Sequence, residues 1–280
     1  MFWQTARFDV DLTNPQVMGI VNVTPDSFSD GGRHGSTISA LRHCEQLIKD
    51  GAHILDIGGE STRPGSPAVS LVDELARVVP LVRDAVTLGV PISVDTYKPE
   101  VMQAVLDLGA DIINDIWALR QRGATAVVAA HPRCGVCLMH MHRDPQTMQV
   151  APMVGDVVSA VLSFLELVAL DAQALGVEKT RIMLDPGIGF GKTVEQNFAL
   201  LARQSVLKAS GYPLLAGWSR KSSLGAVTGL DVDHRMVPSV AAAVLAVERG
   251  ASVVRVHDVR ETVAALAVWT AMQQADRLND

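Results

Sequence analysis

Cysteine is scarce, with three residues in a chain of 280. So low and odd a number excludes a disulfide framework and fits a reducing compartment. Cys134-Gly-Val-Cys137 has the spacing of a metal or redox pair. No second pair completes a zinc site, and Cys137 falls inside an apolar run, not at a helix start where a reactive thiol is expected. Both read as ordinary thiols. A basic stripe is also missing, and the formal charge is -6, so nucleic acid is not an expected partner. An anionic ligand must therefore be held by local arginine, lysine and backbone N–H groups. Residues 1–9 lack the basic start and long apolar centre of a signal peptide. The best membrane candidate, residues 157–177, is interrupted by Glu166 and Asp171 and carries a helical stripe, so a buried amphipathic helix is expected and no membrane association. A cytoplasmic protein fits these absences. No linker or low-complexity tract divides the chain. With 48% hydrophobic residues, it is long enough for one domain over 1–280 with a substantial core at 17–275.

What is present is a series of eight short apolar runs, most of which end in a polar residue. They are Val17-Met-Gly-Ile-Val-Asn22, His53-Ile-Leu-Asp56, Pro91-Ile-Ser-Val-Asp95, Asp111-Ile-Ile-Asn114-Asp115, Val136-Cys-Leu-Met-His140, Arg181-Ile-Met-Leu-Asp185, Pro213-Leu-Leu-Ala-Gly-Trp-Ser219 and Ser252-Val-Val-Arg255-Val-His257. Segments with helical period lie between them, at 37–49, 71–88, 99–108, 124–130, 157–175, 194–207, 237–249 and 261–275. One phrase recurs: Asp50-Gly-Ala-His-Ile-Leu-Asp56, Leu108-Gly-Ala-Asp-Ile-Ile-Asn114 and Arg249-Gly-Ala-Ser-Val-Val-Arg255. Each reads as a helix stopped by glycine, then a strand with a polar tip. Eight buried strands with chemistry at their C-terminal ends is the plan of an α/β (β/α)8 barrel. An open doubly wound sheet is the alternative, and eight units favour closure.

Several loops are too rich in special residues to be plain connectors. Asn22-Val-Thr-Pro-Asp-Ser-Phe-Ser-Asp-Gly-Gly32 and Gly58-Gly-Glu-Ser-Thr-Arg-Pro-Gly65 combine hydroxyls, glycines and an arginine suited to an anion. Asp185-Pro-Gly-Ile-Gly-Phe-Gly-Lys-Thr193 suggests a phosphate loop. A Walker A motif needs glycine where Pro186 stands, so that reading fails. The loop instead places Asp185 at a strand tip, with a glycine turn that positions Phe190. Gly217-Trp-Ser-Arg-Lys-Ser222 brings two cations to the seventh strand. Arg255 and His257, two apart on an extended segment, point to one side. His140 and His142 lack a partner carboxylate and do not read as metal ligands.

These motifs, with Ser93-Val-Asp-Thr96, Ile113-Asn-Asp115 and Leu138-Met-His-Met141, occur in an order that resembles the dihydropteroate synthase family over residues 17–270. The resemblance implies a barrel enzyme that joins 6-hydroxymethyl-7,8-dihydropterin diphosphate to 4-aminobenzoate, releasing diphosphate by an SN1-like route. It implies Asp95, Asn114, Asp185 and Lys221 as pterin ligands, with Asp95 and Lys221 also catalytic. Thr62, Arg255 and His257 match diphosphate contacts. Thr62, Arg63, Pro64, Phe190, Ser219, Lys221 and Ser222 match the aminobenzoate surroundings. Asn22 matches a Mg²⁺ contact, a role suited to a hard cation carried by diphosphate. A homodimer is implied, through apolar residues of the C-terminal helices. Asp56, Asp115 and His140 read as supports for their neighbours, and Glu60 is left open between substrate and its own loop. His142-Arg143-Asp144 and Trp117 depart from the family pattern at the rim. A pterin-binding relative without synthase activity, a methyltetrahydrofolate-binding methyltransferase barrel and a non-enzymatic scaffold are the alternatives. The intact Lys221 and the set Asn22, Arg255 and His257 speak against them.

Overall fold

The computed structural model describes residues 1–23, 32–61, 66–144, 147, 148, 150 and 152–277, without the side chains of 32–36 and 277. Thr62, Arg63 and Pro64 lie outside the described residues. A short antiparallel hairpin comes first, β1 (Phe2–Gln4) and β2 (Asp9–Asp11). Eight parallel strands follow: β3 (Gln16–Asn22), β4 (Ile54–Gly58), β5 (Ile92–Asp95), β6 (Ile112–Asp115), β7 (Gly135–Met139), β8 (Ile182–Asp185), β9 (Leu215–Ala216) and β10 (Val253–Val256). They pair in the order β8-β7-β6-β5-β4-β3-β10-β9. A parallel bridge between Leu184 and Leu214 joins the two ends, so the sheet closes as a (β/α)8 barrel. Each of the eight apolar runs has become one of these strands.

The outer ring consists of α1 (Gly32–Lys49), α2 (Leu71–Ala85), α3 (Pro99–Asp107), α4 (Ala124–Ala130), α5 (Val157–Ala174), α6 (Val194–Ala202), α7 (Gln204–Lys208), α8 (Ser222–Thr228), α9 (Met236–Glu248) and α10 (Val259–Arg277). The segment expected as one helix over 194–207 is broken at Arg203, and α8, with its helix start at Ser222, is not among the segments with helical period. Its seven residues lie in the loop after β9 and are too short to show a period.

The recurrent Gly-Ala phrase has a single physical cause. Gly51, Gly109 and Gly250 adopt φ of 99°, 96° and 96°. At each, the glycine N–H reaches back three residues and the following alanine N–H reaches back five: Gly51 to Ile48 O (3.0 Å) and Ala52 to Leu47 O (2.9 Å) in the first case. This is a Schellman close, and glycine takes the left-handed position without strain. Each chain reversal then delivers the next strand at the same height.

Side chains alternate along the strands, so the barrel interior can be read by register. The lower layer is apolar: Met18, Ile54, Ile112, Cys137, Met183, Leu215 and Val253 pack with Trp3 and Val10 of the hairpin. Trp3 is fully buried and its indole N–H donates to Arg181 O at 2.9 Å, so the hairpin plugs the N-terminal end. The next layer up is polar: Asp56, Ser93, Asn114 and Arg255. That boundary divides the stabilising end from the chemical end. α5 is the one helix among those described that is long and apolar enough to cross a membrane. Its Val158, Val161, Leu165 and Ala169 are buried against the rest of the molecule, as a core helix requires.

Candidate active site

The centre of the mouth is an ion network built from four strands. Arg255 on β10 donates from Nε to Asp56 Oδ2 at 2.6 Å and from a terminal nitrogen to Asp95 Oδ2 at 2.8 Å. Asp56 on β4 is fully buried and also accepts from Ser93 Oγ (2.6 Å) and Asn114 Nδ2 (3.2 Å). Asp56 therefore aims Arg255 and Asn114 instead of facing a ligand itself, the supporting role expected of it. Nothing in the spacing of the motifs marks Arg255 as shared between two carboxylates. Burial pushes Asp95 up to about 7, with Arg255 pulling it down and Asp56 pushing it further up. Burial works against the charge on Arg255, and Asp56 and Asp95 more than offset it, so the guanidinium is raised above its ordinary value.

The register puts Asn22, Gly58, Asp95 and Asn114 in one row at the top of β3, β4, β5 and β6. Asn22 is half-buried there.

Opposite stands the loop after β8. Asp185 is 6% exposed; burial raises its pKa, while the Gly187 N–H, donating to Oδ1 at 2.7 Å, pulls the other way. One carboxylate oxygen thus holds the turn. Gly187 and Gly191 lie flat on the β7 loop at positive φ, and a β-carbon on Gly187 would fall 1.9 Å from His140 O. Only glycine fits such an approach. Phe190 is 7% exposed, and the Lys221 ammonium sits 4.3 Å from its ring centroid, a cation–π contact. The Lys221 stem runs beside Gly189. Asn197 on α6 stitches this shelf together: its Oδ1 accepts from Gly189 N (2.8 Å) and its Nδ2 donates to Ser223 Oγ (2.9 Å) on α8.

His257 and Ser219 form the third part. Ser219 Oγ accepts from the His257 backbone N–H at 3.1 Å and lies 2.9 Å from the ring Nδ1. Arg220 turns away from the mouth at φ 59° and pairs with Asp258 at 2.7 Å, which anchors the β9 loop to the β10 loop. Of the two cations expected there, Lys221 alone faces Phe190. Ser222 opens α8 and is exposed.

The remaining ambiguous residues take supporting positions. Glu60 accepts from Tyr97 Oη at 3.0 Å and pairs with Lys98, which also pairs with Glu74, so Glu60 pins its own loop. Asp115 accepts from Trp117 N (2.8 Å) and Leu119 N (2.7 Å), holding a turn in which Ala118 and Leu119 both take positive φ. His140 is buried and neutral, lowered to about 2 by burial first and by Lys192 next. Among the described residues no group of three or more His, Cys, Asp or Glu can hold a metal. Trp117 packs 6.3 Å from the Tyr97 ring, with the Arg120 guanidinium 5.2 Å from its own ring. Sequence reasoning passed over Ser93, Lys192 and Asn197. The usable sign was a polar residue on the inward stripe of a strand or helix, where an apolar one is the default.

A deep barrel mouth with carboxylates and an amide on one side and a phenyl–ammonium shelf on the other defines a pterin-binding barrel enzyme. Residues 18–257 match the family of pterin binding enzymes. The dihydropteroate synthase of Neisseria meningitidis serogroup C is 50% identical over 274 residues, covering 96% of this chain and 97% of its own. The dihydropteroate synthase of Xanthomonas albilineans, solved with 4-aminobenzoic acid, superposes with a TM-score of 0.92 at 48% identity, covering 98% and 99% of the two chains. That of Burkholderia cenocepacia, solved with 7,8-dihydropteroate, gives 0.90 at 50% identity, covering 99% and 98%. This chain belongs to the dihydropteroate synthase family.

Proposed function

We propose that this chain condenses 6-hydroxymethyl-7,8-dihydropterin diphosphate with 4-aminobenzoate to give 7,8-dihydropteroate and diphosphate. The observation that carries the reading is the placement of Arg255 on Asp56 and Asp95, with Asn114 on the same carboxylate and the Phe190–Lys221 shelf across the mouth. The pterin enters deepest. Its amino group and adjacent ring N–H suit a paired carboxylate, and Asp185 is the buried carboxylate at that depth. Asn114 donates and accepts on the ring edge, and Lys221 donates to a ring oxygen or nitrogen.

The diphosphate leaves first in this reading. Arg255 and His257, with Thr62, receive its charge, and fixed cations in a desolvated site stabilise a departing anion well. As Arg255 turns toward diphosphate, Asp95 loses a partner just as positive charge develops on the pterin methylene. Asp95 and Lys221 are the catalytic residues: the first steadies that cation, the second orients both substrates. The aminobenzoate amine attacks the methylene and loses a proton. Its ring lies along Phe190, with Thr62, Arg63, Pro64, Ser219 and Ser222 around it.

Mg²⁺ fits this set as a companion of the diphosphate. Asn22 would hold it through a single neutral side-chain oxygen, a donor type that suits a hard cation. When bound, the ion neutralises charge on the leaving group. We further assign a cytoplasmic location, from the reduced cysteines, and a homodimer. For the dimer, Val237, Val240, Val244 and Leu245 on α9 line an apolar groove of about 540 Å³ with Ala265 of α10. The test of the reaction is an assay with the pterin diphosphate, 4-aminobenzoate and Mg²⁺. Formation of dihydropteroate that depends on both substrates supports it. Diphosphate release without dihydropteroate points to a pterin-binding relative lacking the synthase step.

A further inference from the structure

Lys192 closes a motif whose nucleotide reading failed, and it is buried, with 3% of its surface exposed. Among the described residues its ammonium bonds no carboxylate. Its ammonium instead donates to Gly187 O at 2.8 Å, Phe190 O at 3.2 Å and His140 Nδ1 at 2.9 Å, with His140 O further off at 3.4 Å. Three N–H donors thus meet three principal acceptors, all of them neutral. A lysine is rarely this deep without a partner charge, and burial lowers it to about 7 despite the pull of Asp185. Such a costly placement has a local consequence. Two of the three acceptors are carbonyls on either side of the Ile188–Gly189 turn, so the ammonium clamps the loop that carries Phe190. The third, His140, is neutral and stands edge-on to Phe164 with ring centroids 4.9 Å apart, so the clamp is tied to β7.

We infer that Lys192 is a positioning residue for 4-aminobenzoate, fixing the Phe190 carbonyl and ring so that the Phe190–Lys221 shelf is formed before the substrate arrives. This rests on the placement of Phe190 beside 4-aminobenzoate proposed above. Asp185 depends less on the clamp, because it is the last residue of β8 and the strand holds its backbone. The two substrates are therefore affected unequally. A charge-assisted hydrogen bond lost from the clamp corresponds to a change of about tenfold or more.

The test is a double-mutant cycle read as the KM for 4-aminobenzoate, with pterin diphosphate affinity measured alongside. Lys192→Met is combined with Phe190→Ala, after thermal unfolding has shown each protein folded. Where Lys192→Met fails to fold, Lys192→Gln, which retains two N–H donors, takes its place in the same cycle. The expected result is a KM raised about tenfold by Lys192→Met in the wild-type background, under about twofold in the Phe190→Ala background, and pterin affinity within about twofold. Equal rises in both backgrounds, or a parallel loss of pterin affinity, would overturn the inference and leave Lys192 a structural residue. A Phe190→Ala protein whose KM is unchanged would instead overturn the placement of Phe190, a separately visible outcome.

Discussion

Two substitutions in the central network should move the titration of Asp95 in opposite directions. Asp56→Asn removes a like charge from beside Asp95, and Arg255→Met removes the opposite one. Burial, Arg255 and Asp56 together set Asp95 at about 7, so the first change lowers that value and the second raises it. The linkage sign follows. A carboxyl with a raised folded pKa contributes stability that is present below its unfolded value, about 3.9, and is lost as pH rises through the folded value near 7. Asp56→Asn should narrow that window and Arg255→Met widen it. The stability costs also differ. Asp56→Asn loses the 2.6 Å bond from Arg255 as a charged pair, but Arg255 retains Asp95 at 2.8 Å. A cost of about 2–3 kcal/mol follows, near the lower end for breaking a buried pair. Arg255→Met leaves two buried carboxylates facing each other without a cation, and about 3–5 kcal/mol is expected. At about 2–4 °C per kcal/mol, the midpoints should fall by roughly 4–12 °C and 6–20 °C. The assay is a carbon-13 titration of the Asp95 carboxyl in both variants, with thermal unfolding measured at pH 5 and pH 8. Shifts of the same sign, or an Asp56→Asn protein as stable as the parent, would refute the network as the determinant of Asp95.

Three further outcomes follow from single contacts. Gly187→Ala should cripple pterin binding and cost several kcal/mol, because its β-carbon would meet His140 O at 1.9 Å in a left-handed turn; isothermal titration and unfolding check both, and a wild-type-like variant would contradict the loop packing. Asn197→Ala should remove the bonds that Asn197 makes to Gly189 N and Ser223 Oγ at a cost of about 1–3 kcal/mol, and should raise the KM for 4-aminobenzoate more than that for the pterin. Trp3→Ala should cost about 3–5 kcal/mol by opening a cavity under the barrel; its kcat at a temperature where it stays folded should match the parent, since the polar layer lies one storey above.

The barrel was legible because its grammar is local. Each strand is a short apolar run, and each Gly-Ala step spells a helix close that needs only its own six residues, so Gly51, Gly109 and Gly250 could be read without knowing what they faced. The hairpin of β1 and β2 was not legible. Three residues per strand give no period, and its burial depends on Arg181 and Asp111, more than a hundred positions away. The break at Arg203 escaped for a related reason: α6 and α7 share one apolar stripe, and a stripe does not record a change of axis.

The site divided along the same line. Strand tips announce themselves, since a polar residue ending an apolar run has few structural reasons to be there, and Asn22, Asp95, Asn114, Asp185, Arg255 and His257 were all visible that way. What such a tip does depends on its neighbour across the barrel, and neighbours are a matter of register. Arg255 reads as a free cation awaiting phosphate until the register sets it between Asp56 and Asp95. In the proposed reaction it is then a group that would leave one partner to meet another. The exchange gives the arrangement its chemical logic. On that proposal a carboxylate paired with arginine would repel an incoming anion less, and the same carboxylate, relieved of that arginine, would face the developing cation. A fixed, always-paired Asp95 would lose the second property, and an unpaired one would oppose the arrival of diphosphate. The shared guanidinium reconciles the two demands with one side chain, and Asp56, which never needs to touch a substrate, keeps it within reach of both.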